Sequence, residues 1–164
     1  VVAGRSVDGA YFQEFETLLE QSKGVISYQG YLERDKVLDL LASSHFLVLP
    51  SGLEETGGMR ENFGNVVAEA MATGRPVLVA KGLAWDHLES AGAGFVFDRN
   101  EASVCVTLHR AQAIDSLEWQ QMSLKGRQYV EEELNPIKLG DKVWQELKKT
   151  DLTQLPQQLK EGSI

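Results

Sequence analysis

The sequence predicts an α/β fold, a doubly wound parallel sheet with helices on both faces. Two observations carry this. Short apolar runs recur at VVAG (1–4), VISY (25–28), HFLVLP (45–50), PVLVA (76–80) and GFVFD (94–98); the clearest, PVLVA, is continuous rather than alternating, as a strand covered on both faces reads. The segments between them have helical character, and strands alternating with helices make a parallel sheet.

In chain order, VVAG is the first strand and RSVDG (5–9) a polar turn at its end. Residues 10–22 are a helix with Tyr11, Phe15, Leu18 and Leu19 at helical spacing, closed by Gly24. VISY is the next strand, and residues 29–35 the loop leaving it. Residues 34–43 form a short helix with Val37, Leu38, Leu40 and Leu41 inward. HFLVLP reads as a strong central strand. PVLVA and GFVFD follow, with a short helix over 85–91 between them. From 101 to about 149 the pattern is helical, broken near Asp115 and at Asn135-Pro136. Residues 1–150 are read as one domain, and the Gln-rich 151–164 as a loosely held tail.

Composition excludes several classes. The 164 residues suffice for one ordinary domain, and 43% apolar content is that of a globular protein. A formal charge of −8 argues against a nucleic-acid partner, which wants basic patches. No apolar run approaches a membrane span. The single Cys105, between Val104 and Val106, reads as a buried structural thiol. The Cys and His residues show no zinc spacing, and phosphate-loop, dinucleotide and nucleophile-elbow motifs are missing. The opening on a strand without an initiator Met suggests a fragment.

Residues 50–82, PSGLEETGGMRENFGNVVAEAMATGRPVLVAKG, organise the rest: strand end, glycine-rich loop, helix, tight turn, strand. Val66, Val67, Ala70 and Met71 make the helix's buried stripe, and Thr73-Gly74 ends it. A helix N-terminus attracts an anion, and Gly64 lets a phosphate approach the amides of Phe63, Gly64, Asn65 and Val66. Asn65 is alternatively an ordinary cap. Eight residues of helix would rise about 12 Å, so Glu61 and Glu69 would reach opposite ends of one extended ligand. Carboxylates suit paired hydroxyls. Phosphate in the middle with hydroxyls at both ends describes a sugar nucleotide. Ligands of such sheets bind beyond the C-terminal strand ends. Arg5, residues 28–31, 50–64 and 81–85 all follow strand ends and should gather there.

Glu61 and Glu69 eight residues apart, with Phe63-Gly64 between them and EAMATGRPV following, resemble the donor-binding motif of the retaining group-one, family 4-like glycosyltransferases of GT-B fold. KGLAW (81–85) and ESAGAGFVFD (89–98) are similar to bacterial members that build cell-surface polysaccharides. The resemblance covers about residues 1 to 150, as the Rossmann-like second half of such an enzyme.

That resemblance implies a hexosyltransferase-type activity, moving a sugar from a UDP-, GDP- or ADP-linked donor to a carbohydrate or lipid-linked acceptor, without a metal or other cofactor. It puts Glu61 against the transferred sugar as the catalytic residue and Glu69 on the ribose hydroxyls. Backbone N–H groups of Phe63, Gly64, Asn65 and Val66 would hold phosphate or sugar. Tyr31 would stack on the base or join the core. The family takes an Arg and a Lys from upstream of VVAG; here Arg5, Arg60 and Lys81 are the nearby cations. Trp85 lies near the sugar or simply packs. The loop 51–60 departs from the family: Glu54 and Glu55 are rivals of Glu61, and Gly57-Gly58 fit a lid or a solvated insertion. The acceptor domain would be a missing N-terminal half, and the setting cytoplasmic, peripheral at the inner membrane face. A sugar-nucleotide epimerase, a non-catalytic nucleotide-sugar binding subunit and a phosphorylase of similar fold are the alternatives.

Overall fold

The computed structural model describes residues 1–5, 9–50 and 63–149. The chain divides into two compact units, Val1–His45 and Phe46–Ile164.

In the first unit, α1 (Gly9–Gln21) turns Phe12, Phe15 and Leu19 into partly buried positions. The rings of Phe12 and Phe15 meet Tyr28 at centroid separations of 5.5 and 5.4 Å. Tyr11 and Leu18, expected inward, are instead 73% and 52% exposed. The aromatic cluster around Tyr28 selects a stripe one residue round the helix from the expected one. Lys23 and Gly24 take positive φ and end the helix. The Val25 N–H then donates to the Ser22 carbonyl (3.0 Å), which places Val25 in a turn, 88% exposed. The strands expected at 1–4 and 25–28 are therefore reduced to one parallel bridge between Val2 and Tyr28. α2 (Arg34–Ser43) forms as expected, with Leu41 buried.

The second unit is built on a parallel sheet of β1 (Leu47–Leu49), β2 (Val77–Ala80) and β3 (Gly94–Phe97), in that order. Val77 pairs with Leu47 on one side and Gly94 on the other. All four residues of β2 are buried, which is why PVLVA reads as a continuous apolar run. Within this unit the middle strand is β2, not HFLVLP. β1 lies at the sheet's edge, and Val48 is 42% exposed. Leu78, Ala80, Phe95 and Phe97 pack against Ala111 and Met122 from α5 (Glu101–Ala113) and α6 (Ser116–Glu133).

Between β1 and β2 runs α3 (Asn65–Ala72), with Val67, Ala70 and Met71 buried and Val66 only partly so. Its C-terminus is closed by two reciprocal bonds: Gly74 N–H to the Met71 carbonyl (2.9 Å) and Arg75 N–H to the Ala70 carbonyl (2.8 Å). Gly74, at φ 76°, makes that turn, as expected. From α6, Ser123 Oγ donates to the Gly74 carbonyl (2.7 Å) and Arg127 to the Thr73 carbonyl (3.3 Å), so α6 grips the far end of α3.

α4 (Leu88–Ala91) holds β3 through Glu89, whose carboxylate accepts from the Val96 N–H (3.0 Å) and Arg110 (2.7 Å). Burial alone would raise the Glu89 carboxyl. The Arg110 hydrogen bond, the Val96 N–H and the Arg110 charge outweigh it, and Glu89 sits below its ordinary value. The helical breaks fall where expected: the Asp115 side chain caps α6, and the Asn135 side chain accepts from Ile137 N–H at the start of α7 (Pro136–Lys149). Cys105 is exposed, contrary to expectation. Thr107 and Ala111 are the inward residues of α5, and Cys105 stands about 200° round the helix from Thr107.

Candidate functional site

The site is built at the end of the sheet where the strands run out. Leaving β2, the chain turns through 81–87, and that turn is fixed by the Gly82 N–H donating to Asp86 Oδ1 (2.8 Å). Leaving β1, it arrives at Phe63 and Gly64 and starts α3. Here the buried Trp85 indole N–H donates to the Phe63 carbonyl, and the two rings meet at a 48° tilt with centroids 4.6 Å apart. Two of the loops expected to gather at this edge therefore do so.

Gly64 is the N-cap of α3, buried, at φ 68° and ψ 67°. A side chain is disfavoured there by the left-handed backbone itself, which is a reason for glycine independent of any ligand. Asn65 is not the cap; it is the first helical residue, and the cap position is held by Gly64, which has no side chain to offer. The Gly64 carbonyl accepts from Val67 N–H (2.8 Å), closing the first turn, so the Asn65 and Val66 amides lie ahead of it. The helix start carries a partial positive charge. Phe63 is partly exposed and carries the carbonyl that Trp85 holds.

Glu69 is the fifth residue of α3 and partly buried. α3 begins at Asn65, next to the start expected at Gly64, so between Asn65 and Glu69 the helix contributes about 6 Å, half of what eight helical residues would rise. Glu61, Arg60, Glu54, Glu55 and the whole of 51–60 lie outside the described residues.

Arg5 and Tyr31 belong to the first unit. There the Arg5 guanidinium lies over the Tyr31 ring, 4.1 Å from its centroid, and Tyr31 is 53% exposed. Tyr31 is therefore not core, and its ring is engaged by a cation. Lys81 pairs with Asp98 (3.7 Å), both well exposed.

Sequence reasoning left Trp85 undecided and missed Tyr129 altogether. Tyr129 of α6 packs on Trp85 at 6.3 Å and on His87 at 5.0 Å. Burial, then the charge of Glu133, push its phenol up, so it stays neutral near neutral pH. No local signal marks Tyr129, since its role comes only from the packing of α6. Among the described residues no helix is long and apolar enough to cross a membrane.

The sequence profile of the family described as glycosyl transferases group 1 matches residues 1–113, a span ending with α5. A search of the curated proteins finds no match. Among solved structures, the chain is similar to HepE from Anabaena in complex with UDP and glucose, at 17% identity and TM-score 0.70, over 90% of this chain and 40% of that one. It is also similar to sucrose-phosphate synthase from Thermosynechococcus elongatus, at 20% identity and TM-score 0.67, over 88% and 36%. A third is WaaG, a glycosyltransferase involved in lipopolysaccharide biosynthesis, at 22% identity and TM-score 0.60, over 79% and 33%. The chain thus spans two fifths or less of those proteins. At such identities the likeness is one of fold, and it bears out the doubly wound, Rossmann-like half of a GT-B architecture.

Proposed function

The chain belongs to the group 1 glycosyl transferases, and from that premise we propose that it carries the donor-binding half of a retaining hexosyltransferase. The enzyme moves a sugar from a nucleotide-sugar to a carbohydrate or lipid-linked acceptor. One observation carries the reading. α3 starts at a buried left-handed glycine, at the strand-end edge of a parallel sheet, where a diphosphate gains both backbone N–H groups and the helix field.

In this reading the diphosphate sits on the amides of Gly64, Asn65 and Val66, Glu69 receives the ribose hydroxyls, and Glu61 faces the sugar. The bond from the anomeric carbon to the diphosphate oxygen breaks with its electron pair going to the diphosphate. The acceptor hydroxyl oxygen bonds to the same face of that carbon and passes its proton to the departing phosphate. Charge on the leaving group is what the α3 N-terminus stabilises, without a metal. A cytoplasmic setting, with the complete enzyme peripheral at the inner membrane face and engaged in surface polysaccharide synthesis, belongs to the same proposal.

The test is calorimetric. Uridine, guanosine and adenosine diphosphates and their sugars are titrated into the chain and into Glu69→Ala and Glu61→Ala. Loss of charge-assisted hydrogen bonds at Glu69 is expected to weaken nucleoside diphosphate about ten- to a hundredfold. Glu61→Ala keeps that affinity and loses the increment due to the sugar. Unchanged diphosphate affinity in Glu69→Ala refutes the ribose assignment, and equal weakening of diphosphate and donor in Glu61→Ala refutes the sugar assignment.

A further inference from the structure

We propose that Cys105 and His109 together form a binding site for a thiophilic divalent ion of the zinc class, on the solvent face of α5. The proposal is independent of the donor-site reading. Both side chains are exposed. They stand four residues apart on one 13-residue helix, and residues so spaced are neighbours on a helix surface, with Cβ atoms roughly 5–6 Å apart. Helical side chains lean back over the preceding turn, so the imidazole of His109 is directed towards the turn that carries Cys105. A zinc-class ion bonded to one sulfur and one nitrogen holds them about 3.5 Å apart, a separation two such side chains reach without moving the backbone.

The helix that carries the pair is fixed. The Asn100 side chain caps α5 by accepting from the Ser103 N–H (2.9 Å), and Thr107 and Ala111 anchor its inner face. Two ligands on such an element bind a metal with little further ordering. Arg110, the cation next to His109 in sequence, donates to Glu89 (2.7 Å) and lies over the Phe95 ring at 4.6 Å, so its charge is drawn towards α4 and β3. Glu101, one turn before Cys105, is exposed and adds negative potential, and the formal charge of −8 favours a cation. Among the described residues no three His, Cys, Asp or Glu side chains gather to hold a metal. The protein therefore gives two ligands and water the others, which makes the site exchangeable rather than structural. On binding, the Cys105 thiol releases its proton to solvent and its sulfur takes the metal as thiolate, while His109 ligates through a neutral ring nitrogen. Nothing is oxidised or reduced.

The test moves the histidine and keeps the composition. In the double variant His109→Gln/Gln112→His the imidazole stands two turns from Cys105, about 10.5 Å along the axis and beyond chelating reach. Gln112 is exposed, so the fold is left alone. Cys105→Ser and His109→Ala complete the set. The full 164-residue chain, freshly reduced, is titrated with cadmium chloride, whose thiolate complex absorbs in the ultraviolet, while the His109 ring resonances are followed in parallel. Zinc chloride is used in a thiol-alkylation protection assay. In the parent the thiolate band and the ring shift are expected to rise together with a micromolar midpoint, and zinc to slow alkylation of Cys105. Cys105→Ser abolishes the band. His109→Ala and the double variant are each expected to bind about tenfold more weakly or worse, because the second ligand of a chelate acts at high effective concentration. Equal cadmium affinity in the parent and the double variant overturns the proposal, since the cysteine alone then accounts for binding. So does a ring resonance that stays put while the band saturates, and so does the absence of any band at millimolar cadmium.

Discussion

Gly64 allows the backbone geometry of the site to be tested apart from its packing. Alanine at φ 68° and ψ 67° meets the left-handed penalty, roughly 1–2 kcal/mol. Part of this is offset because alanine loses less conformational freedom than glycine on folding, a gain of about 0.4–1 kcal/mol. Gly64→Ala is therefore expected to cost about 1 kcal/mol net, a fall of about 2–4 °C in unfolding midpoint for a chain this long. Gly64→Asn relieves most of the dihedral cost, since asparagine tolerates this region. Both variants place a side chain beside the amides that would receive the diphosphate, so both should lose nucleoside diphosphate affinity by about tenfold or more. The pair is read by thermal unfolding and calorimetry together. Stability should distinguish Ala from Asn, while affinity should not. An asparagine variant that keeps parent affinity would show that Gly64 serves its dihedral angle alone, and the argument for close phosphate approach would fall.

Two further outcomes concern stability. In Gly94→Ala the new Cβ would lie 2.1 Å from the Val77 carbonyl oxygen and 2.9 Å from Val77 Cγ2; Val77 is also tied to Leu47, so denaturant titration should show a loss of about 3 kcal/mol or a failure to fold. By contrast, Gly92→Ala meets the movable Lys125 side chain and should cost only the left-handed penalty of about 1–2 kcal/mol; equal costs for the two would refute the steric account. Glu89, held below its ordinary value by Arg110 and Val96 against the effect of burial, contributes stability at higher pH that is lost as pH falls through its folded value. Glu89→Gln should therefore flatten the acid decline between about pH 5 and 3, by no more than about 1 kcal/mol, because Arg110 and Glu89 are 48% and 39% exposed; an unaltered acid limb in urea melts at a series of pH values would remove Glu89 from the account.

Much of the second unit was legible because its signals are local. β2 announces itself as a continuous apolar run, Gly74 as a helix stop, and Asp115 and Asn135-Pro136 as helix starts, each through chemistry confined to a few neighbouring residues. What was not legible depends on backbone angles that residue type does not reveal or on partners distant in sequence. Val25 belongs to an apolar run, yet the positive φ at Lys23 and Gly24 turns it outward before it can join a strand. Cys105 has valines on both sides, but the face of α5 is chosen by a core that includes Leu78, Ala80 and Met122, far from it along the chain. At the site, Gly64 and the α3 frame were readable because glycine, cap and apolar stripe share one short segment. Tyr129 was not, since it reaches Trp85 only through the packing of α6. Glu61 was aligned by offset from Glu69, and the helix covers only the later half of that offset.

β2 has a further consequence, visible to solvent deuterium. Its residues are 0–1% exposed, with Val77, Leu78 and Val79 paired on both sides and Ala80 with β3, so their amides exchange only when the unit opens as a whole. The Gly64–Val66 amides, at a helix start, exchange through local fluctuation. The chain therefore carries two clocks a short distance apart, one set by global unfolding and one by the rim. A ligand held on the rim slows the second clock directly, and slows the first only to the extent that it is released on global opening.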